Sequence, residues 1–268
     1  MSTERPDKAA TYLLEGRVVV ILNGSPYSLI MPTTLFDLMG STEDLNLRYQ
    51  FSNLIKFIRM IAIFITLLLP GIYIAITNFH QELIPTELLF AIVASRANVP
   101  FPVVFEILVM ELSLELIREA GIRIPSPMGQ TISIVGALIL GDAAVSANIV
   151  SPILIIVVAI TGIAAFAIPD FSLSFHLRVT RFIYIILGAL FGFLGIALGL
   201  FIHFTCLCSL TSFGVPYLTP YVPVTRKNNG RYFIKPFWKR EKRSDSLNVQ
   251  RIREQESISM KWRNGGNV

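Results

Sequence analysis

The chain has 268 residues, 53% of them apolar and only 15% charged, with a mean hydropathy of +0.62. That balance excludes an ordinary water-soluble domain and describes a membrane protein. The net charge is +5, yet residues 225–268 carry twelve Lys or Arg against four Asp or Glu, a local +8 that leaves −3 for the rest; a basic stretch beyond an apolar span marks the cytoplasmic side and anionic lipid rather than nucleic acid.

The opening, MSTERPDKAATYLLEGR, has no basic flank followed by an apolar run, so it does not read as a secretory signal, and the N-terminus is expected in the cytoplasm. KAATYLLEG predicts a short helix ended by Gly16, and RVVVILNGSPYSLIMP predicts two strands around an Asn-Gly turn. Residues 1–52 thus form a small α/β piece, too poor in strands to be stable alone.

From Asn53 the character changes to that of a membrane domain, which runs to residue 224 and is followed by a basic tail, 225–268, expected to be cytoplasmic and disordered. The first predicted span, Phe57 to Thr77, is long enough for about 30 Å of hydrocarbon, and Lys56 and Arg59 place its start on the cytoplasmic side. Pro70 and Gly71 predict a kink, which serves either packing or a hinge.

The short run IPTELLFAIVASR comes next, and then FPVVFEILVMELSLELIREAG, which carries Glu106, Glu111, Glu115 and Glu119 among Val, Leu, Ile and Phe. At 100° per residue Glu111, Glu115 and Glu119 share one face with Arg118, while Glu106 lies about 140° from Glu111. Two readings of that face stand side by side. It meets water or headgroups as an interfacial helix, or it lines a wet pore in which carboxylates favour cations.

Three further spans are predicted: Gln130 to Val150, Pro152 to Ile168 and Phe182 to Leu207. The first two of these are separated by Ser151-Pro152, a tight helical hairpin. Asp142, with Ser146 one turn on, is the ionisable residue well inside a span and predicts a polar cavity or a partner between helices. Gly188, Gly192, Gly195 and Gly199 give two small-xxx-small spacings and predict close helix approach. Arg178 and Arg181 flank the last span as anchors, and His80 and His176 are expected to be solvated. Both termini on one side require an even number of crossings. Four clear spans satisfy that, with the Glu-rich helix re-entrant or interfacial.

Cys206 and Cys208 give no disulfide framework, and His203 beside them lacks a fourth ligand for zinc; packing or reversible palmitoylation is their expected role. No phosphate loop, metal-ligand cluster or nucleophile with a base is present in the pattern, so no cofactor, metal or catalytic residue is expected.

Long ordered passages carry a resemblance: TERPDKAATYLLEGRVVVILNGSPYSLIMPTTLFDLM, FHQELIPTELLFAIVASRANVPFPVVFEILVMELSLELIREAGIRIPSPMGQTISIVGALILGDAAV, NIVSP, FAIPDFSLSFHLRVTRF and SFGVPYLTPYVP. From Thr3 to about Pro223 the chain resembles the A-subunit family of bacterial spore germination receptors, the GerA type, entering that pattern near the last hairpin of its cytoplasmic domain. The resemblance implies an all-α multi-pass membrane protein of about four transmembrane helices plus re-entrant or interfacial helices, preceded by a small α/β remnant of the cytoplasmic domain. It also implies a receptor subunit in the inner membrane of the spore, forming a homo-oligomeric ring with a nutrient-gated cation pathway, beside a permease-like B subunit and a lipoprotein C subunit. Two competing expectations are a secondary transporter built around Asp142 and a non-conducting scaffold. The transporter requires inverted repeats, and no convincing repeat is found.

Overall fold

The computed structural model describes residues 1–41, 43–123, 128–223 and Phe233; the remainder of the basic tail lies outside the described residues. The chain divides into two compact units, Met1–Ile58 with His203–Val268, and Arg59–Ile202.

In the first unit, β1 (Ser2–Thr3), β2 (Val18–Ile21) and β3 (Ser28–Met31) form an antiparallel sheet in the order β1-β3-β2, with α1 (Pro6–Leu14) between β1 and β2. Gly16 and Gly24 take φ of 94° and 85°, the left-handed geometry that a helix end and an Asn-Gly hairpin need. Val18 pairs with Met31 and Ile21 with Ser28, so the expected hairpin forms in register.

The hairpin is locked by a residue whose composition gives no hint of burial. Arg17 forks onto Asp37, with Nη1 2.5 Å and Nη2 2.7 Å from the two carboxylate oxygens. Asp37 also closes a capping box with Thr34 at the start of α2 (Leu35–Leu38), accepting from the Thr34 N–H at 2.7 Å. Burial opposes the charge of Arg17, but Asp37 and Glu15 outweigh it and raise its pKa. After the short α3 (Glu43–Asn46) the chain enters the apolar helices. It returns to this unit in a small hairpin, β4 (Thr211–Ser212) with β5 (Val215–Pro216). There the Tyr217 carbonyl accepts from the Leu35 N–H at 2.9 Å and the Tyr221 ring lies 4.9 Å from that of Phe36.

The second unit is helical. It contains most of α4 (Tyr49–Phe79), a 3-10 turn at Gln81–Leu83, α5 (Thr86–Arg96), α6 (Val103–Arg123), α7 (Met128–Ser146), α8 (Pro152–Phe166) and the greater part of α9 (Phe171–Ser209). Helix α6 packs against α7 and α8. The core joins Ile74, Ile107, Met110, Leu154, Val158 and Ile185. Around it many large apolar side chains remain exposed, among them Phe90, Leu116, Ile163, Phe166 and Leu194, the inverse of a water-soluble surface. Among the described residues two helices, α4 and α9, are long and apolar enough to cross a membrane.

Helix α7 ends in a Schellman motif: Asn148 takes φ of 54°, its N–H donates to the Val145 carbonyl, and the Ile149 N–H donates to that of Ala144. Ser151 then caps α8 with Pro152 in its first turn, so Ser-Pro forms the expected tight connection between helices. Pro70 lies inside α4 without ending it. Gly71 beside it is where α4 meets α9. A Cβ on Gly71 would stand 2.7 Å from the Tyr184 carbonyl oxygen, and one on Gly188 would stand 2.6 Å from the Gly71 carbonyl oxygen. The two backbones touch, as small residues at a membrane-helix crossing allow.

Helix α9 differs from the single span read in the sequence. Gly192 takes φ 60° and ψ −140°, outside helical space. A Cβ on Gly195 would meet the Leu187 carbonyl oxygen, and one on Gly199 would lie 2.6 Å from Leu187 Cδ1 and 3.2 Å from Tyr184 Cε1. In a straight helix positions 187 and 195 are about 12 Å apart, and 184 and 199 about 22 Å. The chain therefore reverses at Gly192, and α9 is a helical hairpin whose arms press together through Gly195 and Gly199. All four glycines serve close approach, two of them within one folded-back element. His80 is not simply solvated: its Cε1 would lie 3.1 Å from a Cβ on Gly192, and its ring is 4.9 Å from that of Phe193.

Candidate functional site

The glutamates of α6 divide into two places. Glu106 and Glu111 are each only 1% exposed, a position that an acid holds only with partners.

Glu106 sits near the N-terminal end of α6, where its Oε2 accepts from the Ser151 N–H at 2.9 Å and its Oε1 lies 3.3 Å from Arg96 Nη2. It thereby caps the start of α8 from outside that helix, supplying the acceptor that an exposed N–H at a helix start requires. Arg96, in the last turn of α5, is held further by the Phe101 carbonyl at 3.5 Å. One acid thus ties α5, α6 and α8.

Glu111 and Glu115, one turn apart on α6, face the first arm of α9. Arg181 Nη2 is 2.9 Å from Glu111 Oε2, with side chains 2% and 1% exposed. Arg178 donates to Glu115, whose other oxygen takes Arg118 at 3.2 Å. Two carboxylates therefore face three guanidiniums. The excess cation is eased by aromatic faces: Arg118 lies 5.1 Å from the Phe166 ring centroid and Arg178 5.5 Å from that of Phe175. Glu111 Oε1 and Arg181 Nε remain buried without a hydrogen bond, so the pair is tightly enclosed and only partly satisfied.

The shared face read from the wheel thus exists for Glu111, Glu115 and Arg118, while Glu119 is exposed and Glu106 belongs to the other site. Arg178 and Arg181 are not lipid-facing anchors, because both are buried as the partners of the acids. Their i, i+3 spacing against the i, i+4 spacing of Glu111 and Glu115 is the signal that could have matched them. Arg96 and Ser151 gave none. Asp142 is exposed on α7 and makes no hydrogen bond or ion pair with another described residue. Among the described residues no group of three potential ligands could hold a metal ion.

Residues 1–246 match the family model described as Bacillus/Clostridium GerA spore germination protein. Spore germination protein KA of Bacillus subtilis (strain 168) is 47% identical over 249 residues, 92% of this chain and 46% of its own length. Spore germination protein A1 of the same organism is 47% identical over 219 residues, 82% of this chain and 45% of its own length. The membrane protein YfkQ, again from that strain, is 46% identical over 237 residues, 88% of this chain and 46% of its own length. The chain spans about half the length of these relatives. No solved structure matches it.

Proposed function

Because the chain belongs to the GerA family of spore germination proteins, we propose that it acts as an A-type subunit of a nutrient germinant receptor and contributes, as a homo-oligomer, to a germinant-gated ion pathway. On this reading it works in the spore inner membrane, with both termini cytoplasmic, beside a permease-like B subunit and a lipoprotein C subunit.

The observation that carries the ion-pathway part is the division of labour along α6. Glu106 and Glu111 are neutralised inside the chain, by Arg96 and Arg181, and hold helices together. Glu115 is likewise held, by Arg178 and Arg118, and the exposed Glu119, one turn further along α6, carries the acidic strip outward. Carboxylates so placed attract cations once copies assemble around a common axis. Asp142, exposed on α7, is a second candidate for a polar contact that assembly would create. Gly71 and Pro70, where α4 meets α9, are the hinge candidates.

Germinant-triggered potassium release from spores carrying Glu119→Gln or Glu115→Gln tests the assignment. Slowed release at a normal protein level is expected. Release unchanged in rate and extent in both variants removes α6 from the ion path.

A further inference from the structure

Three helix ends gather beside the cluster of Glu111 and Glu115. Helix α6 runs out at Arg123, α8 ends at Phe166 and α9 starts at Phe171. The turn from α8 into α9 is tied by the Ser174 hydroxyl, which donates to the Ala165 carbonyl at 3.3 Å. Arg118 stands five residues, about 8 Å, from the end of α6, and Arg178 seven residues, about 10 Å, from the start of α9. Guanidiniums at that depth reach headgroup level on their apolar stems.

The cluster is one negative charge short of balance. Arg118, Arg178 and Arg181 face Glu111 and Glu115, and Asp170, just before α9, is committed to that helix, accepting from the Leu173 N–H at 3.0 Å. Arg118 gives only its Nη1 to Glu115. Its Nε and Nη2 together form the other edge of the guanidinium, a complete two-donor fork. Among the described residues neither nitrogen makes a hydrogen bond, and, unlike the Nε of Arg181, neither is sealed from the surroundings. Aromatic rings cover guanidinium faces and leave that edge open. Phe166 lies 5.1 Å from Arg118, and Phe171 and Phe175 lie 6.0 and 5.5 Å from Arg178. All three rings are themselves exposed, so the unfilled fork is rimmed by apolar surface.

We infer that this corner binds an anionic phospholipid, two of its phosphate oxygens on the Nε–Nη2 edge of Arg118 and its acyl chains against Phe166, Phe171 and Phe175. A phosphodiester spreads one negative charge over two oxygens, which matches the fork in geometry and the surplus in amount. Basic pockets between membrane helices hold such headgroups. Zwitterionic lipid brings its own ammonium and gains nothing from the surplus, and a free phosphate lacks the chains that would cover the rings. The lipid so placed joins α6, α8 and α9 at their shared end. The inference does not depend on ion conduction.

The test uses the full chain in nanodiscs, with Trp238→Phe and Trp262→Phe removing the native tryptophans and Phe166→Trp as the reporter, since an indole keeps a ring on Arg118. Brominated phosphatidylglycerol is compared with brominated phosphatidylcholine as the quencher. The anionic lipid is expected to quench at a lipid fraction about fivefold lower or less, the worth of one cation beside an anionic lipid. Arg118→Gln is expected to remove that preference. A reporter at Leu194→Trp, on the second arm of α9 and likewise exposed, is expected to show none, although the basic tail is present in every sample. The comparison of the two reporters needs no arginine variant, so it stands even if Arg118→Gln fails to insert. Equal quenching of the 166 reporter by both lipids, a preference kept in Arg118→Gln, or the same preference at 194 overturns the assignment. Loss of the preference on adding inorganic phosphate, but not chloride at matched ionic strength, overturns it in favour of a free-phosphate site.

Discussion

Glu111→Gln is the sharpest perturbation of the cluster. The substitution removes a charge while preserving volume, and it leaves Arg181, 2% exposed, with Glu115 as the remaining nearby acid. Breaking a buried pair by removing one partner costs about 3–5 kcal/mol, because the other charge stays desolvated. Even the lower bound is a large fraction of a stability of about 5–15 kcal/mol, and it corresponds to a fall of about 6–12 °C in midpoint for a chain of this size. The double variant Glu111→Gln with Arg181→Met removes both charges and is expected to recover most of that loss. The assay is thermal unfolding of the full chain in detergent, read as a double-mutant cycle in which the pair shows a coupling of more than about 2 kcal/mol. A Glu111→Gln protein within about 0.5 kcal/mol of the parent, or a double variant no more stable than the single one, would refute the view that Glu111 bolts α6 to α9. The same result would return Glu111 to the list of pore-facing acids.

Three further outcomes follow from local geometry. Gly71→Ala and Gly188→Ala place a methyl within 2.7 Å of backbone oxygen and are expected to lower membrane-inserted protein through overpacking of about 1–3 kcal/mol each, whereas Gly162→Ala, with nothing within 4 Å, is neutral or slightly stabilising; immunoblots of membrane fractions check both. Asp37→Asn strips buried Arg17 of its bidentate partner, leaving Glu15 at 3.4 Å, and weakens the Thr34 cap, so hydrogen exchange across Val18–Ile21 and Ser28–Met31 is expected to accelerate at least tenfold. Spin labels at Ile183→Cys and Phe201→Cys, in a Cys206→Ser, Cys208→Ser background, are expected under about 20 Å apart by pulsed electron resonance; a straight helix would hold those positions about 27 Å apart along its axis.

Much of the fold can be read from local pattern because local chemistry decides it. The Asn-Gly turn, the Gly16 helix stop and the Ser-Pro connection each require a backbone geometry that few residues supply, and each appears where those residues stand. The acidic strip of α6 is likewise read from spacing alone. Its partners are not, because Arg178 and Arg181 lie more than sixty positions along the chain and look like ordinary flanking cations. Whether an Arg next to an apolar run snorkels to the interface or turns inward depends on what the neighbouring helix offers, and here α6 offers carboxylates. The reversal in α9 escapes for a related reason. Hydropathy records how apolar a segment is and is blind to its direction, so one glycine at φ 60° turns a predicted rod into a hairpin without altering the profile.

That reversal changes the topology that the crossings imply. Four spans gave an even count while α9 crossed once, which allowed the Glu-rich helix to stay out of the bilayer. A hairpin contributes none or two crossings, so if α7 and α8 cross as the sequence reading expects and both termini are cytoplasmic as proposed, α4, α7 and α8 need one more helix to make the number even. Helix α5, with 11 residues, spans about 16 Å, and α6, with 21 residues, spans about 31 Å, so α6 is the segment with the length to cross. A crossing α6 explains why its acids are paired, since unpaired carboxylates at that depth are among the costliest groups a membrane protein can carry. It also puts Arg118 and Arg123 at its cytoplasmic end, as the positive-inside rule prefers. Alkaline phosphatase fused after Ala97 is then expected to be active and fused after Arg123 inactive, because the enzyme matures only outside the cytoplasm. Activity at both positions would mean that α6 returns to the side it came from, and the carboxylates would then need a wet vestibule rather than arginine partners to justify their place.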